Sequence, residues 1–207
     1  MVDKHAIRAM MRQRAAAFLA SGQAAPESAR ILAELETMPA FRDAACVLVY
    51  MALPDEVQTA PLLERWAGRK RLVIPRVAGE DLELCEYDPA RLQTGYRGIL
   101  EPAPDARPVC PDEIDLAVIP GTAFSQGQDV WRLGRGSEEQ SDAGGLGGTP
   151  PNQTNTKTVW RLGRGKGFYD RLLPRLRCPA VGICYPFRVL PEIPTDPWDQ
   201  PLGGLVY

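Results

Sequence analysis

Between Trp160 and Arg171 the chain reads Trp-Arg-Leu-Gly-Arg-Gly-Lys-Gly-Phe-Tyr-Asp-Arg, so that Gly163, Gly165 and Gly167 alternate with Arg164 and Lys166. That composition suits a polyphosphate. Glycine lets backbone N–H groups close on a phosphate, cationic side chains offset its charge, and a helix starting near Gly167 turns its positive end toward the same anion. Asp170 adds a hard carboxylate oxygen of the kind that holds magnesium. The Gly-x-Gly-x-Gly spacing matches neither the Walker A loop nor the dinucleotide fingerprint. Runs of this composition also occur in disordered RNA-binding segments and in plain structural turns. The chemistry therefore depends on what surrounds the run.

Residues 130–136 recur residue for residue as 159–165, and only the second copy continues into Lys166-Gly167-Phe168-Tyr169-Asp170. Between the copies, residues 137–157 hold Ala143 and Leu146 as their sole apolar side chains. Such a stretch cannot bury a core, which predicts a flexible insert over about 131–159. The second copy is assigned to the ligand because it is covalently continuous with Lys166 and Asp170. Loop closure costs grow only logarithmically with length, so entropy does not forbid the first copy from returning to the same place.

The elements that must position this run follow from periodicity. A helix over 3–20 has Asp3 as N-cap, Ile7, Met11, Ala15 and Phe18 as its apolar stripe, and Gly22 as its stop. Lys4, Arg8 and Arg12 share one face of it, either a solvated basic stripe or a set of cations reaching one anion. A second helix spans 26–37. The continuous apolar run 45–50 reads as a strand buried on both faces, and a helix over 59–67 with a strand over 71–75 completes a βαβ unit. Residues 82–87 alternate as a half-exposed strand, and the proline-rich 102–111 is an extended connection. Residues 114–120 form another central strand, ending at Pro120-Gly121, where open α/β sheets place ligands. A helix over 167–177 and strands over 180–185 and 202–207 complete an α/β architecture with a mainly parallel sheet.

Composition narrows the function classes. Hydrophobic residues make up 44% of the 207, enough for a globular core, and the formal net charge of −2 gives no global positive field to gather nucleic acid or an anionic membrane. A locally built small-molecule pocket is expected instead, with neither nucleic acid nor membrane as partner. The start of the chain has no apolar signal region, and its longest apolar run, 44–53, is too short to span a bilayer, which predicts a cytoplasmic protein. The 5 cysteines include no Cys-x-x-Cys pair, so neither a disulfide framework nor a zinc site is expected. His5 is the only histidine, which leaves no basis for Ser-His-Asp or Cys-His chemistry.

Taken in order, five motifs resemble the 5-formyltetrahydrofolate cyclo-ligases (methenyltetrahydrofolate synthetases). They are Lys4 and Arg8 on the first helix, Leu53-Pro54-Asp55-Glu56-Val57-Gln58-Thr59, Pro120-Gly121-Thr122-Ala123-Phe124, the run from Arg161 to Arg171, and Thr195-Asp196. The resemblance covers nearly the whole chain. It implies one Rossmann-like, three-layer α/β domain over 1–207, acting as a monomer. The implied reaction converts 5-formyltetrahydrofolate to 5,10-methenyltetrahydrofolate with ATP and Mg2+, releasing ADP and phosphate. Lys4, Arg8 and the run Arg161, Leu162, Gly163, Arg164, Gly165, Lys166, Gly167, Phe168 and Tyr169 are then expected to contact ATP. Met51 and Glu56, with Arg164, Gly165, Lys166, Gly167 and Phe168, border the folate. Asp170 and Asp196 hold the metal, and Lys166, Arg164 and Tyr169 are the expected catalytic residues. The family normally has one Arg-Leu-Gly run, whereas this chain carries 29 extra residues. A noncatalytic folate or nucleotide binder, disabled by its insert, is the alternative.

Overall fold

A computed structural model describes residues 3–95, 98–129 and 157–207. Its main sheet has six strands: β1 (Cys46–Leu48), β2 (Arg71–Ala78), β3 (Asp81–Glu86), β6 (Leu116–Ile119), β9 (Ala180–Ile183) and β10 (Gly204–Val206). They lie in the order β10-β9-β6-β1-β2-β3. Every neighbouring pair is parallel except β2 and β3, which pair antiparallel at one edge. Two short antiparallel ribbons stand beside the sheet, β4 (Leu92–Thr94) with β5 (Leu100–Pro102), and β7 (Ala123–Asp129) with β8 (Lys157–Leu162).

The period-2 alternation of the central strands sorts their side chains into two cores. Val47, Val49, Leu116 and Val118 join Ile31, Leu32, Leu35, Phe41, Leu62 and Leu63 on one face. Those partners come from α2 (Ala24–Thr37), α3 (Pro39–Asp43) and α4 (Ala60–Trp66). Cys46, Leu48, Ala117 and Ile119 point the other way, onto Leu172 of α5 (Phe168–Leu172), Leu173 just after it, and Phe124 and Val159 of the β7–β8 ribbon. An apolar run with no polar alternation is thus explained by cover on both faces, the three-layer α/β fold expected from the sequence. α1 (Lys4–Ala20) packs Ile7 and Met11 against Ala123, Leu162 and Ile193, and the Asp3 carboxylate caps it by accepting from the Ala6 N–H at 2.6 Å.

Several expectations need correction. The helix predicted over 167–177 is five residues, Phe168–Leu172, followed by a 3-10 turn Leu173–Arg175, because Pro174 cannot donate a backbone hydrogen bond. So short a helix contributes little dipole toward the expected anion. Of the predicted flexible insert 131–159, residues 131–156 lie outside the described residues, but 157–159 are the first residues of β8. Val159 pairs with Gln126 and is buried in the core. The extended connection expected from 102 instead begins as the last residue of the β4–β5 hairpin.

Candidate functional site

β1 lies between β2, which follows it in the chain, and β6, which comes later from the opposite side. That reversal opens a crevice at the carboxyl ends of β1 and β6, the place where open α/β sheets take ligands. Tyr50 to Glu56 leave β1 there and Pro120-Gly121 leave β6. Gly121 is required for closeness, since a Cβ on it would lie 2.5 Å from the Phe124 ring and 3.0 Å from Arg161 Cγ. Both neighbours are buried and cannot yield cheaply. Gly121→Ala is therefore expected to cost about 1–3 kcal/mol, measured as a fall in the urea midpoint at unchanged slope; an unaltered midpoint would show that the crevice floor relaxes.

The ribbon carries the glycine run to this crevice. Phe124 pairs with Arg161 and Ala123 with Leu162, and beyond Leu162 the chain leaves the ladder at Gly163. Gly165 and Gly167 have φ of 99° and 71°, left-handed values that let the turn reverse into α5. Arg8 on α1 anchors the turn by donating from Nε to the Gly163 carbonyl at 2.9 Å.

An ion-pair network lies beside the turn. Arg164 donates from Nε to Glu56 Oε1 at 3.0 Å and from a terminal nitrogen to Asp55 Oδ1 at 2.6 Å. Arg188, 2% exposed, donates to Asp55 Oδ2 at 2.9 Å, to the Asp55 carbonyl at 2.6 Å and to the Thr122 carbonyl at 2.8 Å. The second oxygen of Glu56 accepts from the Leu53 N–H at 3.0 Å. Burial pushes the Glu56 carboxyl above the ordinary glutamate range, against the pull of Arg164. Burial acts the same way on Asp55, but there the Arg164 and Arg188 guanidiniums outweigh it and hold the carboxyl below its usual value. Burial also pushes the Tyr169 phenol well up, so it stands as a neutral hydrogen-bond donor.

Two pockets meet at the turn. One is largely apolar, has an empty volume of about 870 Å³ counted out to its mouth, and is lined by Tyr50, Met51, Leu53, Pro75, Val77, Leu82 and Phe168 with Glu56, Arg161, Arg164 and Tyr169. The other is polar and holds Lys4, Arg8, Leu162, Gly165, Arg171, Asp196, Trp198 and Asp199. Gly163, Lys166, Gly167 and Asp170 line both.

Every site residue expected from the sequence lines one pocket or the other, yet the division differs from the expected one. Arg161, Arg164, Phe168 and Tyr169 face the apolar pocket, and Gly165 the polar one. Arg161 is buried as the last cation of β8, paired with Asp170, with its plane 5.6 Å from the Tyr169 ring centre. Sequence reasoning missed Arg188, which sits in no motif, and Asp199, whose spacing three residues after Asp196 was the available signal.

Lys4 bonds Asp196 at 2.8 Å and also Asp199. Burial pulls the Lys4 ammonium down, but these two carboxylates outweigh it and its pKa stands above the usual lysine value. Lys166 is exposed; its carbonyl accepts from Arg171 at 3.2 Å, and its ammonium makes no hydrogen bond or ion pair among the described residues. As magnesium ligands, Asp170 and Asp196 fit in donor type. Each commits one carboxylate oxygen to a cation, Asp170 Oδ1 to Arg161 and Asp196 Oδ2 to Lys4, and leaves the other without a hydrogen bond among the described residues. Among the described residues no group of three or more His, Cys, Asp or Glu side chains forms a metal cage. An ion held by one or two carboxylates and completed by phosphate and water needs none.

A cation-lined polar pocket joined through glycines to an apolar one, at the switch point of a mainly parallel sheet, defines the class: an α/β protein with a two-part ligand site at its sheet crevice. The family model for the 5-formyltetrahydrofolate cyclo-ligase family matches residues 1–138 and 156–207. The chain belongs to that family. It is 28% identical to the Escherichia coli K12 5-formyltetrahydrofolate cyclo-ligase, over 82% of this chain and 81% of that protein. It is 27% identical to the probable 5-formyltetrahydrofolate cyclo-ligase of Schizosaccharomyces pombe, over 87% and 83%. The NMR structure of Aquifex aeolicus 5,10-methenyltetrahydrofolate synthetase superposes with a TM-score of 0.74 at 28% identity, covering 98% of this chain and 88% of that one. The Mycoplasma pneumoniae 5,10-methenyltetrahydrofolate synthetase shares the fold at 21% identity, with a TM-score of 0.64. Among the described residues no helix is long and apolar enough to cross a membrane.

Proposed function

We propose that this chain uses ATP and Mg2+ to convert 5-formyltetrahydrofolate into 5,10-methenyltetrahydrofolate, ADP and phosphate. The observation that carries the reading is the shared wall, Gly163, Lys166, Gly167 and Asp170, between a polar and an apolar pocket. A phosphoryl donor in the first and a formylated pterin in the second meet there.

The chemical obstacle is a leaving group. The formyl oxygen on N5 is an amide oxygen and departs slowly. When that oxygen attacks the γ-phosphorus, ADP leaves and the oxygen becomes part of a phosphate ester. N10 of the same substrate then attacks the formyl carbon and loses its proton, and the carbon–oxygen bond breaks to release phosphate. The nucleophiles belong to the substrate, so the protein supplies positioning and charge. Lys4 and Arg8 hold the polyphosphate from α1, and the glycine turn offers backbone N–H groups. Lys166, whose ammonium has no partner among the described residues, offsets negative charge on the group in transfer. Asp170 and Asp196 would hold Mg2+, which would supply charge neutralisation there. Arg164 and Glu56 orient the folate, Met51 and Phe168 pack on it, and Tyr169 donates a hydrogen bond within the apolar pocket.

Purified protein given 5-formyltetrahydrofolate, ATP and Mg2+ should develop methenyl absorbance and release ADP in equal amounts, and omission of Mg2+ should abolish both. Binding without ADP release would identify a noncatalytic binder instead.

A further inference from the structure

Arg188 is the most deeply buried charged side chain among the described residues, and it stands in the 3-10 turn Pro186–Arg188 beyond the carboxyl end of β9. Its bonds tie together the ends of three neighbouring parallel strands, β9, β6 and β1. One terminal nitrogen donates to the Thr122 carbonyl beyond β6, and the other donates to both the carbonyl and Oδ2 of Asp55 beyond β1. Neither Arg188 nor Asp55 lines the two pockets, whereas Arg164 and Glu56 line the apolar one, and Arg164 is bonded back to Asp55 Oδ1. Arg188 therefore stands two links behind the pocket wall.

Stability alone does not account for a cation there. Its Nε is buried with no hydrogen-bond partner among the described residues, and its guanidinium carbon lies 5.1 Å from the Phe187 ring centre, a setting an apolar side chain would also fill. Buried ion pairs are often no more stabilising than apolar residues of similar volume. A guanidinium adds direction, because its planar fork fixes where its donors point. Asp55, gripped at Oδ2 and at its carbonyl, presents Oδ1 to Arg164 at 2.6 Å from one place. Arg164 in turn meets Glu56 at 3.0 Å.

We propose that Arg188 is a positioning residue: acting through Asp55, it sets the direction of the Arg164 guanidinium along the wall of the apolar pocket without touching substrate itself. The assignment rests on the folate reading of that pocket. Without Arg188, the Asp55 carboxylate keeps Arg164 as its one cationic partner among the described residues, and the two side chains turn together. Ordering them then falls on ligand binding and weakens it. The polar pocket, whose cations come from α1 and the glycine turn, is left as it was.

The test is calorimetric binding of 5-formyltetrahydrofolate without nucleotide, with thermal unfolding and the KM for ATP measured on the same proteins. Arg188→Met should weaken folate binding about tenfold and change the KM for ATP by less than about twofold. In an Arg164→Met background the same change should cost no further folate affinity, because the group it directs is gone. Tm should still fall there, since the contacts to the Thr122 and Asp55 carbonyls are lost in either background. Arg188→Lys, which keeps a cation beside Asp55 but not the fork, should bind folate about threefold more weakly than wild type. It replaces Arg188→Met throughout the comparison if the methionine variant does not fold. Unchanged folate affinity, equal losses in both backgrounds, or a matching rise in the KM for ATP would each overturn the assignment, the last two being what a purely structural arginine gives. If wild type binds no folate, the reading of the pocket fails and takes this assignment with it; if wild type binds and the variant binds equally, only the assignment fails.

Discussion

Replacing Lys166 by alanine is expected to lower kcat by about 10²–10³ while leaving Tm where it is. The ammonium lines both pockets and has no other partner among the described residues, so no fold contact is lost with it. Exposed substitutions of that kind usually change stability by less than about 0.5 kcal/mol. The loss should fall on kcat more than on the KM for ATP, because Lys4 and Arg8 still hold the polyphosphate. Single-turnover ADP release separates the two effects. A variant with near-normal kcat would remove Lys166 from the phosphoryl-transfer step.

Arg164→Met is the second large effect, and it is pH-dependent. Glu56 loses its only charged partner among the described residues while remaining buried, a situation that costs about 3–5 kcal/mol if the carboxylate stays ionised. Its pKa, already raised by burial with Arg164 in place, then climbs further. The folded chain holds a proton that the unfolded chain has released, so stability falls as pH rises from about 4.5 through the raised folded value. Asp55 moves the other way. Arg164 and Arg188 lower its pKa, and stability from that source is present above the unfolded value near 3.9 and lost as pH falls. Removing Arg164 trims that contribution by a fixed amount above about pH 5. The gap between wild type and variant should therefore widen from pH 5 to pH 8 in urea unfolding, and the KM for folate should rise about tenfold or more. A gap independent of pH would show that Glu56 is not the group left uncompensated.

How much of this was legible in the sequence depended on how local the cause was. The central strands announced themselves because Val47, Leu48, Leu116 and Val118 are buried whichever way they point, and α1 because Asp3 caps it and Ile7, Met11 and Ala15 recur at helical spacing. The β7–β8 ribbon was hidden. Its partner strands are separated in sequence by residues 130–156, whose first seven residues duplicate 159–165, and the pairing of Phe124 with Arg161 is a fact of tertiary structure alone. The glycine run and the α1 cations could be picked out as candidates only in the order of the surrounding motifs, since runs of this composition also make plain turns. Which pocket each one faces was not legible, because the turn is a partition and a linear pattern carries no information about its two sides. Arg188 left no pattern at all: an isolated arginine acquires meaning only when Asp55 is known to stand beside it.

The direction of the β7–β8 ladder has one more implication. Ala123 and Leu162 pair beside the glycine turn, while Asp129 and Lys157 pair at the opposite extremity, roughly 17 Å along the ribbon at strand spacing. Residues 130–156 depart and rejoin there. The rungs of the ladder, and not whatever bridges its open end, dictate where Arg161 and Gly163 stand. That extremity is a natural graft point, where an ancestral gene could gain or shed sequence while the register that feeds the reaction centre stayed put.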